Sequence, residues 1–270
     1  MPNHIKNVIR IIGGLEDIQD AMTRLGYPNT VDFNRVVRMP NSLRTVESTA
    51  IKDFIHLACS KMSGPERERI EAALRRRPHK GWGRWSSYGE RFVYELTFPL
   101  SATEYVKVEN RLKEDMTKNP KYTADLDFFV DGPAAMGKVY IDNILTYGHP
   151  TWYDWSIENW GTKWNAYEVR WFNEQVEFET AWSNALPVIL KLSEFFPDLK
   201  FRYDYADEDI GSNCGWYKIR NGKIALEDHP VGDEAVRFAC EMWDYDYDEY
   251  IKELEGDEEE DDDLERSNLM

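Results

Sequence analysis

The sequence predicts an α+β protein, an antiparallel sheet with one polar face and helices packed on the other. Three observations lead there. Between residues 166 and 226, short runs alternate apolar and polar side chains with a period of two. A helix-length stretch opening at Pro187 and closing at Pro197-Asp198 separates those runs. Asn221-Gly222, the dipeptide best suited to a type I′ hairpin, joins the last two.

In chain order, Asn7–Ile12 reads as a strand and Gly13-Gly14 as a turn. Leu15, Ile18, Met22 and Leu25 form one face of a helix that ends at Gly26. The Gly-Gly pair lacks the GxGxxG or GxxxxGK(S/T) spacing of a nucleotide site, so it is turn chemistry. Val31–Met39 reads as extended and stops at Pro40. Helices then dominate. Ile51, Phe54, Ile55 and Ala58 share a face, and Glu66–Arg76 is helical until Pro78. Phe92–Phe98 reads as a strand, Ser101 with Glu104 as a capping box opening the next helix, and Pro133–Tyr147 as a helix closed by Gly148.

Thr151–Ile157 reads as one or two helical turns and Trp160–Trp164 as a tight connection. The strand Ala166–Phe172 places Tyr167, Val169 and Trp171 on one side. Across a loop at Asn173-Glu174-Gln175, the strand Val176–Trp182 places Val176, Phe178, Thr180 and Trp182 on one face and Glu177 and Glu179 on the other. A third strand alternates Leu199, Phe201, Tyr203 and Tyr205 with Lys200, Arg202 and Asp204. The hairpin Cys214–Ile219/Lys223–Leu226 and a helix Asp233–Trp243 complete the order. Residues 1–46 thus form a β-α-β segment, 47–150 a mainly helical insertion with one strand, 151–243 the α+β domain and 244–270 an acidic tail.

Residues 152–172 spend five of the ten tryptophans. Large rings on paired strands fill a sheet's core, so Trp164, Trp171 and Trp182 are read as buried, while for Trp152 and Trp155 core and exposed platform stand as equal alternatives. Lys163 and Asn165 are read as satisfying local backbone groups.

Charge bounds the function classes. The net charge is −17, yet residues 241–270 alone carry fifteen Asp/Glu against Lys252 and Arg266, which leaves only −4 for the first 240 residues. Such a like-charge run is expected to be extended and disordered after about Leu254. A solubilising terminus and an acidic segment that occupies a basic, nucleic-acid-binding groove are the two readings. Arg67–Arg84 is the opposite feature, with seven Arg/Lys against two Glu. Its cluster of Arg75, Arg76, Arg77, Lys80 and Arg84 is explained by the helix macrodipole or, alternatively, by phosphate binding.

Chemistry-bearing patterns are sparse. Three cysteines share no CxxC spacing and five histidines no HxxE, HxH or HExxH spacing, so neither a disulfide framework, a metal site nor a cofactor is expected. Asp204, Asp207, Glu208 and Asp209 form a carboxylate cluster without an acid/base partner, and Cys214 would need a nearby histidine to act as a nucleophile. No apolar run approaches the roughly 20 residues of a membrane span, and the first residues begin no signal peptide, so a cytosolic, non-enzymatic protein is expected.

Met1-Pro2-Asn3, Asp32-Phe33-Asn34 followed by Met39-Pro40, and above all TWYDWSIENWGTKWNAYE with ETAWSNALPVILKLSEFFPDL, resemble the YubB-like family of bacteriophage and conjugative-plasmid accessory proteins. The resemblance covers about 140–245 and, more loosely, the first forty residues. It implies a ferredoxin-like domain, a mobile-element setting in a bacterial cytosol and a role in the contest between such elements and their hosts. It supplies no catalytic residues.

The expected function is therefore a non-enzymatic accessory protein that binds a host defence or nucleic-acid-handling protein through an acidic, DNA-mimic-like surface. Asp244, Asp246, Asp248, Glu249, Asp257, Glu258, Glu259, Glu260, Asp261, Asp262 and Asp263 would supply the charge, with Trp152, Asp154, Trp155 and Glu158 as a second contact group. The alternative is an accessory protein that binds nucleic acid directly through the basic patch at 75–84.

Overall fold

The computed structural model describes residues 3–76, 99–124, 126, 130–172 and 175–253. The chain divides into two compact units, Met1–Val37 with Trp160–Met270 and, inserted between them, Arg38–Asn159.

The first unit is built on a six-stranded, wholly antiparallel sheet in the order β2-β3-β1-β4-β5-β6. Its strands are β1 (His4–Ile12), β2 (Tyr167–Trp171), β3 (Gln175–Ala181), β4 (Lys200–Asp207), β5 (Gly215–Arg220) and β6 (Lys223–Asp228). Helix α1 (Leu15–Leu25) follows β1, and the helix Leu186–Phe195 links β3 to β4. Strand, helix, hairpin, helix, strand, in the spatial order β2-β3-β1-β4, is the ferredoxin-like arrangement, to which the β5–β6 hairpin is added at the β4 edge.

One face of this sheet is the core. Ile5, Ile9 and Ile11 of β1 pair with Thr180, Val176 and Phe201, and all are buried, as are Ile18, Met22, Val188, Ile189 and Leu192 of the two helices. Asn7 lies within it, fully buried, and its needs are met. Its amide donates to the Ile5 and Phe178 carbonyls and to Thr180 Oγ1, and its oxygen accepts from Tyr203 Oη at 2.6 Å. Tyr203 Oη accepts in turn from the Ala185 amide. A buried polar group without partners costs about 1–3 kcal/mol, so this network fixes the register of three strands and a helix start.

Three expectations need correction. Val31–Met39 is not extended. Asp32 accepts from the Asn34 amide and starts a single 3₁₀ turn, Phe33–Arg35, while Asn165 Oδ1 takes the Phe33 amide at 2.8 Å. These side-chain bonds occupy donors that a strand would have offered to a neighbour. Second, β2 carries a bulge between Tyr167 and Arg170, with Glu168 at φ 49°. Tyr167 pairs with Glu179 on the outer face, whereas Trp171 pairs with Val176 on the inner one, because one extra residue inverts the alternation. Third, β3 ends at Ala181, and Trp182, at φ 70°, leaves the ladder and is 54% exposed. Trp164 is also exposed, and Lys163 Nζ lies 4.8 Å and 5.4 Å from the centroids of Trp164 and Trp182. Trp160 also serves this core: it is 4% exposed, meets Phe33 edge-on and donates from Nε1 to the Val37 carbonyl at 2.8 Å.

Other expectations hold. Asn221 and Gly222 have φ 48° and 71°, the left-handed pair that a type I′ turn requires. Ser101 and Glu104 form both bonds of the capping box.

The second unit is helical among its described residues. It contains α2 (Ile51–Ser60), α3 (Gly64–Arg76), α4 (Ala102–Lys118), the single turn α5 (Lys121–Ala124), α6 (Gly132–Tyr147) and most of α7 (Trp152–Trp160). Phe54, Ile55, Ala58, Leu112, Tyr122, Met136, Tyr140 and Ile144 form its core. Helices α2 and α6 approach so closely that a Cβ at Gly137 would overlap the Phe54 carbonyl. The strand expected at Phe92–Phe98 lies outside the described residues. In the first unit, the β3–β4 helix is α8 (Leu186–Phe195) and the final one α9 (Asp233–Trp243).

Candidate functional site

Strand alternation leaves a second sheet face, and α9 covers only part of it. Ala235, Ala239 and Met242 of α9 pack with Val8, Ala206 and Cys214, and Trp243 Nε1 donates to the Ala206 and Asp207 carbonyls. The remainder is open and charged, and pairing register shows how the charges sort.

On the β2–β3 side the face is acidic. Glu168, Arg170, Glu177 and Glu179 line a cleft of about 150 Å³ with Lys6, Trp243 and Asp244. Lys6 Nζ bonds Asp244 at 2.9 Å and lies 3.9 Å from Glu177. Burial holds the Glu179 carboxyl above its ordinary pKa, and the charges of Glu168 and Glu208 add to that, while His4, at 3.4 Å, works the other way. Tyr167 beside it is pushed up to about 12, first by burial and then by the same carboxylates. Four carboxylates against two cations make an acidic cleft. Past α9 the chain stays acidic: Asp244, Asp246, Asp248, Glu249 and Glu253 are all exposed, with Lys252 the one basic residue in 244–253.

On the β4–β5 side the same face is basic. Cross-strand pairing lines up Arg10, Arg202 and Lys218, and it sets Ile12 beside Lys200, and Arg220 beside Lys223. Trp216, half-buried, stands in that field, with the Arg202 guanidinium carbon 3.7 Å from its centroid and Lys218 Nζ at 5.6 Å. Asp204, 3% exposed, accepts from Arg10 and Arg202 at 2.7 Å each. Asp204 therefore orients this face, and its neighbour Asp207 serves local structure by accepting from Asn3, Asn213 and the Asp209 amide.

The expected site residues fall in separate places. Asp244, Asp246, Asp248 and Glu249 belong to the acidic end of the first unit, and Asp246 also accepts from the Glu249 amide at 2.9 Å. Asp257, Glu258, Glu259, Glu260, Asp261, Asp262 and Asp263 lie outside the described residues. Trp152, Asp154, Trp155 and Glu158 sit on α7 in the second unit. There Trp155 is 6% exposed, Trp152 meets Tyr153 edge-on, and Glu158 accepts from or pairs with buried His149 Nε2 at 2.5 Å. Burial raises the Asp154 pKa, partly offset by His149. Arg75 and Arg76 end α3, while Arg77, Lys80 and Arg84 lie outside the described residues.

Sequence reading missed the basic half of the sheet. Its cations are dispersed from Arg10 to Lys223, and only the β1–β4, β4–β5 and β5–β6 registers bring them into rows. Lys200 and Arg202 do show as the polar alternates of β4, but nothing in the sequence sets Arg10 beside them.

Cys59, Cys214 and Cys240 are free and buried, and burial pushes the Cys59 thiol up to about 12. No three His, Cys, Asp or Glu among the described residues are placed to hold a metal ion, and no described helix is long and apolar enough to cross a membrane.

Fold and surface define a ferredoxin-like α+β protein with a charge-divided sheet. Residues 159–263 match a protein family described as the ferredoxin-like domain in Api92-like protein. Among solved structures, the crystal structure of protein Api92 from Yersinia pseudotuberculosis is similar over 86% of this chain and 99% of that one, with 12% identity and a TM-score of 0.40. No curated protein matches the chain.

Proposed function

We propose that the protein is a non-enzymatic accessory protein of a phage or plasmid, which binds a basic, nucleic-acid-handling host protein of the bacterial cytosol in place of DNA. The observation that carries this reading is the acidic cleft of Glu168, Glu177, Glu179 and Asp244, followed in the chain by exposed Asp246, Asp248, Glu249 and Glu253. A run of carboxylates at this density offers a phosphate-binding groove what a nucleic-acid backbone offers it. The YubB-like resemblance supplies the mobile-element setting. The second unit's α7 group, Trp152, Asp154, Trp155 and Glu158, is a weaker candidate, since Trp155 is buried and Glu158 is engaged by His149.

The test is capture from a bacterial lysate followed by displacement. The reading expects a captured protein that itself binds DNA and is released both by added duplex DNA and by raising salt from about 50 to 200 mM, over which the Debye length falls from about 14 to 7 Å. Capture that duplex DNA leaves untouched contradicts it.

A further inference from the structure

From the opposite half of the sheet we infer that the protein has a second, independent site, a single-stranded nucleic acid platform on β4–β5 centred on Trp216. A single-strand platform needs cations that track a phosphate backbone and a flat π surface on which bases stack. Both are present. Arg10, Arg202 and Lys218 form one row across three strands, Lys200 and Arg220 lie in the next, and Trp216 stands beside the first. Arg202 is held over the indole at 3.7 Å and fixed from behind by Asp204, so guanidinium and indole are ordered together before any ligand arrives. Exposed Ile12 and Leu226 flank the rows and offer apolar contact to bases.

The net charge of −17 argues against nucleic acid binding only if it acts at this distance. Three strand spacings separate β5 from β3, roughly 14 Å at about 4.8 Å each. That exceeds the Debye length of about 10 Å at 0.1 M salt. The field at Trp216 is set by nearer residues, the cations Arg10, Lys200, Arg202, Lys218 and Arg220 against the carboxylates Asp204 and Asp228, which pair with Trp216 from β4 and β6. Lys200 and Lys218 make no ion pair with any described residue and are exposed, so their charge is available to a phosphate.

The site recognises the polymer by backbone and stacking, with no base-edge reader, so a polypyrimidine strand is the fitting probe. The full chain is titrated against a labelled twenty-nucleotide oligothymidine by fluorescence anisotropy. Binding is expected at about 100 mM salt, with a slope of log affinity on log salt near −2 for about three phosphate contacts. K200E with K218E should weaken it at least tenfold, and Trp216→Leu about tenfold at unchanged slope, since stacking releases no counterion. Lys138→Glu, an exposed cation of the second unit, should change it less than twofold. Thermal melting of each variant separates lost binding from lost folding. Absence of binding, equal loss in the Lys138 variant, or a duplex that binds as tightly as the strand overturns the inference. None of these outcomes bears on the acidic cleft, which K200E, K218E and Trp216→Leu leave intact.

Discussion

The guanidinium of Arg202 lies over the indole of Trp216, 3.7 Å from its centroid, and is held there by a 2.7 Å bond from Nε to the buried carboxylate of Asp204. Asp204 also holds Arg10 at 2.7 Å, so one buried acid organises two strands of cations. Removing one partner of such a group leaves the others unsatisfied. Asp204→Asn should lower the unfolding free energy by about 1–3 kcal/mol, read from urea melts. An unchanged midpoint would show that the two arginines are held by other contacts.

Two tryptophans of the same region should behave oppositely. Trp160 is enclosed against Phe33 and hydrogen-bonded to Val37, so Trp160→Ala opens a cavity and should cost about 3–5 kcal/mol. Trp182 sits outside the ladder at 54% exposure, and Trp182→Ala should cost less than about 1 kcal/mol. Comparable losses in thermal melts would place Trp182 in the core after all.

How much of this was legible in the sequence follows from the same residues. The strands β1, β3 and β4, the Asn221-Gly222 turn and the capping box at Ser101 are local patterns, and each was readable. Trp182 was misread because alternation was carried one residue past the end of β3, where a left-handed φ of 70° turns the chain outward. Tyr167 and Trp171 were placed on one face because a bulge at Glu168 has no reliable sequence signature. The acidic residues of 244–249 were visible as a run. The cleft that Asp244 lines was not, because it requires Lys6, 238 positions away from Asp244, to be brought beside Glu177.

At Gly137, backbone packing decides. Alanine is the better helix former by about 1 kcal/mol, yet its Cβ would overlap the Phe54 carbonyl of α2. Overpacking against backbone costs about 1–3 kcal/mol or more. Gly137→Ala should therefore destabilise the helical unit, and increased stability by calorimetry would refute the close α2–α6 approach.

Glu179 gives the pH dependence of the cleft. Its folded-state pKa is raised above 4.5, chiefly by burial, so ionisation costs the folded state more than the unfolded one. The side chain's contribution is fully present below the unfolded value and is lost as pH rises through the folded value. Glu179→Gln should accordingly be more stable than the parent at pH 7, with the gap closing below pH 4.5. A variant less stable at pH 7 would mean that pairing with His4 outweighs burial and repulsion.

One sheet face carries two separate charged surfaces. Backbone and indole NMR shifts, mapped during two titrations of the full chain, one with a hexa-arginine peptide and one with oligothymidine, tell the two surfaces apart. Two footprints that do not overlap in the described residues are expected. The peptide should move Glu168, Glu177, Glu179 and Asp244, and the oligonucleotide should move Arg10, Arg202, Lys218 and the Trp216 indole. Shared footprints, or an oligonucleotide footprint that leaves Trp216 unmoved, would contradict it.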